Sequence, residues 1–540
     1  MTMRMRSIQA LCFLMVLIMV KKTTCSTKNL KLTHFQAMIA QKQAISPAPQ
    51  SSPPDISIKR EGRVFYPIGY GADPTGKQDS SDAILQALND AFHVQSGLVL
   101  LPGVNDLGGI EIDLQGGDYR IGKPLRFPPG ANVLVSISPF LNNNYFGMLR
   151  ASWQCLWTGL SLLFSFPFFD IGDGTFEPQV KGGTLRATGT FPGDRYLIEL
   201  WSPDSRPLFQ TNGNLTGRKD FNRDRIRYED ITFRDILFDS SFRAGGIFII
   251  DSARIRIDNC MFIRFLTEGI RVKRGHETYI SSSFLGQHLT VGSDPDEKDC
   301  SGTAIDLDGN DNAVTDVAIF SAAIGILLKG QANIITGAHC YNKATYWGGI
   351  GILVKSTPGS SSLTRIDNCY LDFTAIVMED PFQVHVTNGL FLGDANVVIK
   401  SVRGTISGLN IVDNMFTSES HKGVPIVRLD GNFSSIDQVV IDRNNAIGMS
   451  LKSTVGRLTV AGNGTKWVAD FSPVLVFPSK INHLHYSFYI QGGVPSSFPR
   501  HAATTVSNNV VVVESNVQVN GVVSMVVDQY NMIGEKSAFL

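Results

Sequence analysis

A phrase that recurs through the middle of the chain limits what it can fold into. A small residue is followed by alternating apolar positions: Gly246-Ile247-Phe248-Ile249, Gly269-Ile270-Arg271-Val272-Lys273, and Ala304-Ile305-Asp306-Leu307-Asp308. It returns as Gly325-Ile326-Leu327-Leu328-Lys329, Gly351-Ile352-Leu353-Val354-Lys355, and Ala375-Ile376-Val377-Met378-Glu379. The spacing is roughly 21 to 26 residues, with one longer gap before Ala304, and a period of that size means a solenoid. Each unit carries an earlier short strand, as in Arg254-Ile255-Arg256-Ile257-Asp258-Asn259-Cys260 and Thr364-Arg365-Ile366-Asp367-Asn368-Cys369. Period-two alternation broken by Gly, Asn, Asp and Ser reads as short strands and turns. No helical pattern of useful length interrupts them. The expected fold is all-β: coil stacked on coil in a parallel β-helix, because no coil buries its apolar side alone.

The faces of the repeated strand follow from alternation. Ile270 and Val272, Ile305 and Leu307, and Ile352 and Val354 point inward. The residues between them form an outer ladder. In coil order it reads Phe248 and Ile250, Arg271 and Lys273, Asp306 and Asp308, Leu327 and Lys329, Leu353 and Lys355, Val377 and Glu379. Adjacent coils lie about 4.8 Å apart. Two acids therefore stand on the outer face, with basic residues on the coils to either side.

The rest of the chain frames this ladder. Its 540 residues, 43% hydrophobic, suffice for a large core held as one solenoid domain. A formal net charge of zero gives no sign of nucleic-acid binding. Arg4 and Arg6 precede an apolar run over 10–20 that is too short for a comfortable membrane span, followed by small and polar residues. Residues 1–25 read as a secretory signal peptide, the alternative being a signal anchor. No later run is long enough to span a membrane. Three sequons, at Asn214, Asn432 and Asn463, agree with secretion and glycosylation. Of seven cysteines, Cys260, Cys300, Cys340 and Cys369 lie in the solenoid, either as two disulfides or as buried thiols. No spacing fits a metal site, and no cofactor is expected.

Residues 26–62 are rich in Gln, Ser and Pro and read as a flexible leader. The solenoid domain is expected over 63–455. Its start carries Tyr70-Gly71-Ala72-Asp73-Pro74-Thr75-Gly76, then Asp79-Ser80 and an amphipathic run over 83–92. Asp79 or Ser80 caps a helix that covers the open end of the solenoid, whose bare edge would otherwise aggregate. Beyond about Gly456 the pattern shifts to Val-rich strands, so 456–540 reads as a β-rich C-terminal cap. Asn520-Gly521 within it is a hairpin signal.

The phrase Gly71-Ala72-Asp73-Pro74-Thr75-Gly76 with Asp79-Ser80 and Ala83-Ile84 resembles the N-terminal signature of pectin-lyase-like β-helix proteins. Two later phrases, Phe191-Pro192-Gly193-Asp194-Arg195-Tyr196-Leu197-Ile198-Glu199-Leu200 and Gly309-Asn310-Asp311-Asn312-Ala313-Val314, resemble the Quartet-type polygalacturonases of plants. The resemblance covers most of the chain from Val64 onward. It implies a right-handed parallel β-helix, hydrolysis of α-1,4-galacturonan, with pectin as substrate and partner, and a cell-wall location. A secreted monomer is expected.

One segment breaks the pattern. Residues 141–180 hold Trp153, Trp157 and a run dense in Leu, Ser, Phe and Pro. These are the residues a pyrimidine-rich stretch before a splice acceptor encodes, so the segment reads as a retained intron. The alternative is a real hydrophobic insertion, a lid or a partner surface.

Inverting hydrolysis of a glycoside needs two carboxyl groups about 6.5 to 9.5 Å apart. Asp306 and Asp308, two apart on one strand face, stand roughly 6.6 Å apart at the backbone. Asp311 follows in a turn, and Glu268 precedes the same strand one coil earlier. These four are the candidate acid and base. Neighbouring carboxylates raise the acid's pKa by repulsion. A polyanionic substrate needs cations, and Arg271, Lys273, Lys329 and Lys355 are placed for its carboxylates, the Arg in bidentate fashion. His339 is a candidate to orient an acid or bind substrate. The bland readings are a turn role for Asp311, a structural role for His339 and solvated lysines. The Asn-Thr-Asp, Asp-Asp and Gly-His-Gly phrases usual in polygalacturonases are absent, and Arg271-Val272-Lys273 precedes the acids instead of following them. The acids therefore rest on the face reading. Two rivals remain: a calcium-dependent pectate lyase with Arg271 as base, and a non-catalytic pectin-binding solenoid.

Overall fold

The computed structural model describes residues 58–94, 98–101, 104–128, 131–135, 182–201, 226–288, 300–341, 348–355, 362–419, 423–493 and 497–531. The signal peptide, most of the leader, the 141–180 segment and Asn214 lie outside the described residues.

Each coil carries three short strands, as in Gly245–Ile250, Arg256–Asp258 and Met261–Ile263. The third strands form a sheet in strict chain order, from Thr75–Asp79 to Asn445–Ile447, each bonded to its successor. That order is a right-handed parallel β-helix. The site lies on the first strands: β1 (Tyr196–Leu200), β2 (Gly245–Ile250), β3 (Glu268–His276), β4 (Ser301–Asn310), β5 (Ala322–Leu328), β6 (Ile350–Val354) and β7 (Ala375–Glu379). All pair in parallel, with Ile247, Ile270, Ile305, Ile326, Ile352 and Ile376 in one inward column. All six are fully buried. Burying each such side chain contributes about 1.5–3 kcal/mol, which holds the register against a one-residue slip that would turn them to solvent.

The chain passes from second to third strand through a single left-handed residue in most coils. Asn259, Ser282, Asp316, Asn368, Asn388 and Asp413 all have φ between 49° and 59°. Short polar side chains tolerate that conformation, which explains the recurrent Asp-Asn before Cys260 and Cys369. Those two cysteines and Cys340 are buried free thiols, so the buried-thiol alternative holds for these three over two bridges within the solenoid.

Helix α1 (Ser81–Phe92) packs Ile84, Leu88 and Ala91 onto the first coil, where Phe92 meets Phe127 edge-on. Ser80 is its N-cap residue without a side-chain cap bond, and Asp79 Oδ1, one residue earlier, accepts from Ser81 N at 2.9 Å. The Asp73 carboxylate accepts from Thr75 Oγ1 and from the backbone N–H groups of Thr75, Lys77 and Gln78, which lowers its pKa to about 2. The N-terminal signature is thus a structural knot.

At the other end an antiparallel sheet of Val455–Asp470, His483–Ile490, His501–Ser507 and Val510–Asp528 follows the last coil, with Phe477 buried in the solenoid core. The hairpin expected at Asn520-Gly521 is not there. One strand runs straight through, pairing Gly521 with both Gly462 and Ile490. Glycine is needed for close approach: a Cβ would meet Phe488 and Trp467, and Trp467 Nε1 donates to Gly521 O at 3.1 Å.

Candidate active site

Register puts Arg271 and Lys273 of β3 beside Asp306 and Asp308 of β4. Leu327 of β5 follows Asp306, and Lys329 N, just past β5, donates to Leu307 O. The ladder is therefore assembled as the alternation predicts, because the inward Ile and Leu columns leave these positions no other side.

Asp306 is the centre. Its side chain is 3% exposed, and Lys329 Nζ lies 2.8 Å from Oδ2. Arg271 Nε stands 3.9 Å from the same oxygen, while Oδ1 is buried without a hydrogen bond. Burial raises the Asp306 pKa, Lys329 works against the rise, and the net is upward. Glu268 sits across Arg271, with 3.6 Å between Oε1 and Nη1. Tyr196 of β1 joins the two: its hydroxyl donates to Glu268 Oε2 at 2.5 Å and accepts from Arg271 Nη1 at 3.2 Å. The Tyr196 ring stacks on Phe248 at 5.2 Å, and the Arg271 guanidinium lies 5.6 Å above Phe248. Asp308 is half-buried on the same face as Asp306.

The other candidates divide. Lys273 is half-buried beside Asp308, and Lys355 is exposed one coil beyond Lys329. Asp311 is exposed in a left-handed turn at φ 57°, about 16 Å along the strand from Asp306 at 3.3 Å per residue. It serves the turn and is not brought to the acids. His339 is corrected more sharply. The Gly337-Ala338 corner carries the chain onto the third sheet before His339, so it stands on a different face from Asp306 and orients no acid there. Its ring lies 4.0 Å from that of Tyr370, tilted by 37°, and burial lowers its pKa to about 4.

The sequence reading missed the part of the ladder that precedes Phe248. Glu199 of β1 is register partner to Phe248 and to Arg126, and it is 2% exposed. Arg126 Nε at 3.0 Å and Arg195 Nε at 3.5 Å hold it, and Trp201 lies 4.7 Å beneath Arg126. Tyr196, Phe248 and Ile250 form a small apolar cluster with Trp201 against it. The signal was available: Tyr196-Leu197-Ile198-Glu199-Leu200 shows the same alternation one coil earlier. Chemically, the face offers a buried carboxyl whose pKa burial pushes upward, a half-buried carboxyl two residues on, cations on both flanks and an aromatic shelf.

No protein-family model matches the chain. Among curated proteins, Polygalacturonase QRT3 of Arabidopsis thaliana is 47% identical over 491 residues, covering 89% of this chain and 88% of that protein. Among solved structures, ORF18 of Geobacillus virus E2 aligns at a TM-score of 0.44 and 10% identity, over 85% of this chain and 77% of that one. PfbA, a surface adhesin of Streptococcus pneumoniae, aligns at a TM-score of 0.44 and 10% identity, over 73% and 92%.

Proposed function

The chain belongs to the Quartet-type polygalacturonases of plants, and from that membership we propose that it is a secreted, monomeric hydrolase of the α-1,4-galacturonosyl bonds of cell-wall pectin, inverting at the anomeric carbon and needing no cofactor. The observation that carries the mechanism is Asp306, buried yet on the outer ladder, with a pKa raised by burial. A raised carboxyl pKa is the direction a general acid that protonates the leaving oxygen needs. Asp308, roughly 6.6 Å along the same face, serves as the base that takes a proton from the attacking water, at the short end of the inverting range. Arg271, Lys273, Lys329 and Lys355 receive the substrate's carboxylates. Glu268 holds Arg271 and Tyr196 in place. Asn432 and Asn463 are exposed, as acceptors of N-linked glycans must be.

The test is reducing-end release from polygalacturonate, with and without chelator, for the intact protein and for Asp306→Asn and Asp308→Asn. The expected result is activity that survives chelation and falls about 10²–10⁴-fold in each variant. Activity retained in both variants overturns the assignment of the acids. An unsaturated, calcium-dependent product overturns hydrolysis in favour of lyase chemistry.

A further inference from the structure

A groove on the adjacent sheet is built differently from the ladder. It runs along the second strands Thr364–Asp367, Phe382–Thr387 and Thr405–Val412, two coils on from Asp306 and one face round the solenoid. It encloses about 420 Å³, within the range of small-ligand sites. Arg365, His385 and Asn410 stack down its floor, one coil apart. Tyr530 forms one wall. Its neighbour Asn531 fixes that wall: Asn531 Nδ2 donates to Asp437 Oδ1 at 3.2 Å, and its carbonyl accepts from Gln438 N.

The charge in the groove is unbalanced. Arg365 is exposed and has no ion partner among the described residues. The carboxylate nearest on its own strand, Asp367, is already engaged by Thr387 Oγ1 at 2.8 Å and Asn388 Nδ2 at 2.9 Å. Asn410 Nδ2 lies 2.8 Å from His385 Nε2, a hydrogen bond that the neutral imidazole with its proton on Nδ1 accepts. Burial, and secondarily Arg365, favour that neutral form. The groove thus offers one uncompensated planar cation, an imidazole N–H, several amides and a phenol ring, and no carboxylate lines it. An anion bearing several hydroxyls matches that set: a carboxylate for the guanidinium, hydroxyls for the amides and a sugar face for the ring.

We propose that this groove binds an acidic sugar unit, with its carboxylate on Arg365 and its hydroxyls on His385 and Asn410. It is a second hold on the polysaccharide, separate from the acids. The identity of the sugar as galacturonate rests on the polygalacturonase reading.

The experiment is calorimetric titration of trigalacturonate into full-length Asp306→Asn, and into the same protein carrying Arg365→Gln. The expected result is two sites in the first and one in the second, with Asn410→Ala weakening the same site roughly tenfold. Arg365 is exposed, so its replacement leaves the core intact, which an unchanged unfolding midpoint of Arg365→Gln checks. Equal stoichiometry with and without Arg365 overturns the proposal, as does equal binding of neutral galactotriose. Failure of the hydrolase reading looks different: the intact protein releases no reducing ends, while an Arg365-dependent site for trigalacturonate still supports the groove.

Discussion

Replacing Lys329 with Met tests whether the buried acid is held as the geometry indicates. The Asp306 side chain is 3% exposed, Lys329 30%, and their contact is 2.8 Å. Breaking a fully buried pair costs about 3–5 kcal/mol, whereas an exposed pair contributes about 0–1. Lys329 is nearly a third exposed, and Arg271 Nε remains 3.9 Å away to share the charge. The expected loss is therefore intermediate, about 2 kcal/mol. Its pH dependence carries the sharper test. Burial already raises the Asp306 pKa, so the folded protein holds that proton more tightly than the unfolded chain does. Stability from this group falls as pH rises from the ordinary carboxylate range through the folded pKa, and the penalty is complete above it. Without Lys329 the folded pKa rises further and the penalty grows. Lys329→Met should thus lose about 2 kcal/mol near neutrality and distinctly less near pH 4, read by chemical denaturation at both pH values. Adding Asp306→Asn should recover most of the neutral-pH loss, because no buried charge is then left alone. A loss equal at both pH values, or a double variant worse than Lys329→Met, would refute the reasoning.

Three other perturbations probe separate parts of the structure. Tyr196→Phe keeps the stack on Phe248 but removes the hydroxyl between Glu268 and Arg271; kcat on polygalacturonate should drop about tenfold without loss of fold, at a cost of about 1–3 kcal/mol for the unpaired Glu268 oxygen. An unchanged kcat would leave Tyr196 a packing residue only. Gly521→Ala forces a Cβ within 3.0 Å of Phe488 and 3.1 Å of Trp467, and should cost about 1–3 kcal/mol in denaturation midpoint; a neutral result would contradict the straight strand. Residues 141–180 should be missing from the transcript, because Val135 and Gly183 lie beside Phe233 and Ile236, so a step from 233 to 236 in one coil runs from 135 to 183 in the coil before it. A message that encodes the segment would sink this reading.

The coil architecture was legible because its cause is local. Alternation fixes which side chains face inward, and the inward Ile, Val and Leu columns then fix the register that sets Arg271 beside Asp306. The left-handed corners were written in short polar residues such as Asn259 and Asn368. What could not be read was where a coil turns from one sheet to the next. His339 lies eleven residues past Leu328, and that interval carries it across two corners to another face. The Asn520-Gly521 signal failed for a related reason. A dipeptide that permits a tight turn equally permits two backbones to close on a tryptophan, and only the partner strand decides. Tyr196 was overlooked because its partners, Glu268 and Arg271, lie more than seventy residues away in the chain.

A polyanionic substrate poses a problem for any site built on carboxylates, and the ladder answers it by geometry. Two acids on an open face would repel galacturonan. Here Asp306 is covered by Lys329 and flanked by Arg271, while Glu268 is tied to Arg271 and to the Tyr196 hydroxyl. The field that an approaching chain meets comes mainly from the more exposed cations, since Arg271 and Lys329 are 31% and 30% exposed against 3% for the Asp306 side chain. The same burial that hides the acid from the substrate's charge also favours its neutral form. On the proposed reading, attraction of a polyanion and the raised pKa of the acid follow from one arrangement, a carboxyl set beneath its own counter-ions. A variant that exposed Asp306 without removing it would lose both together.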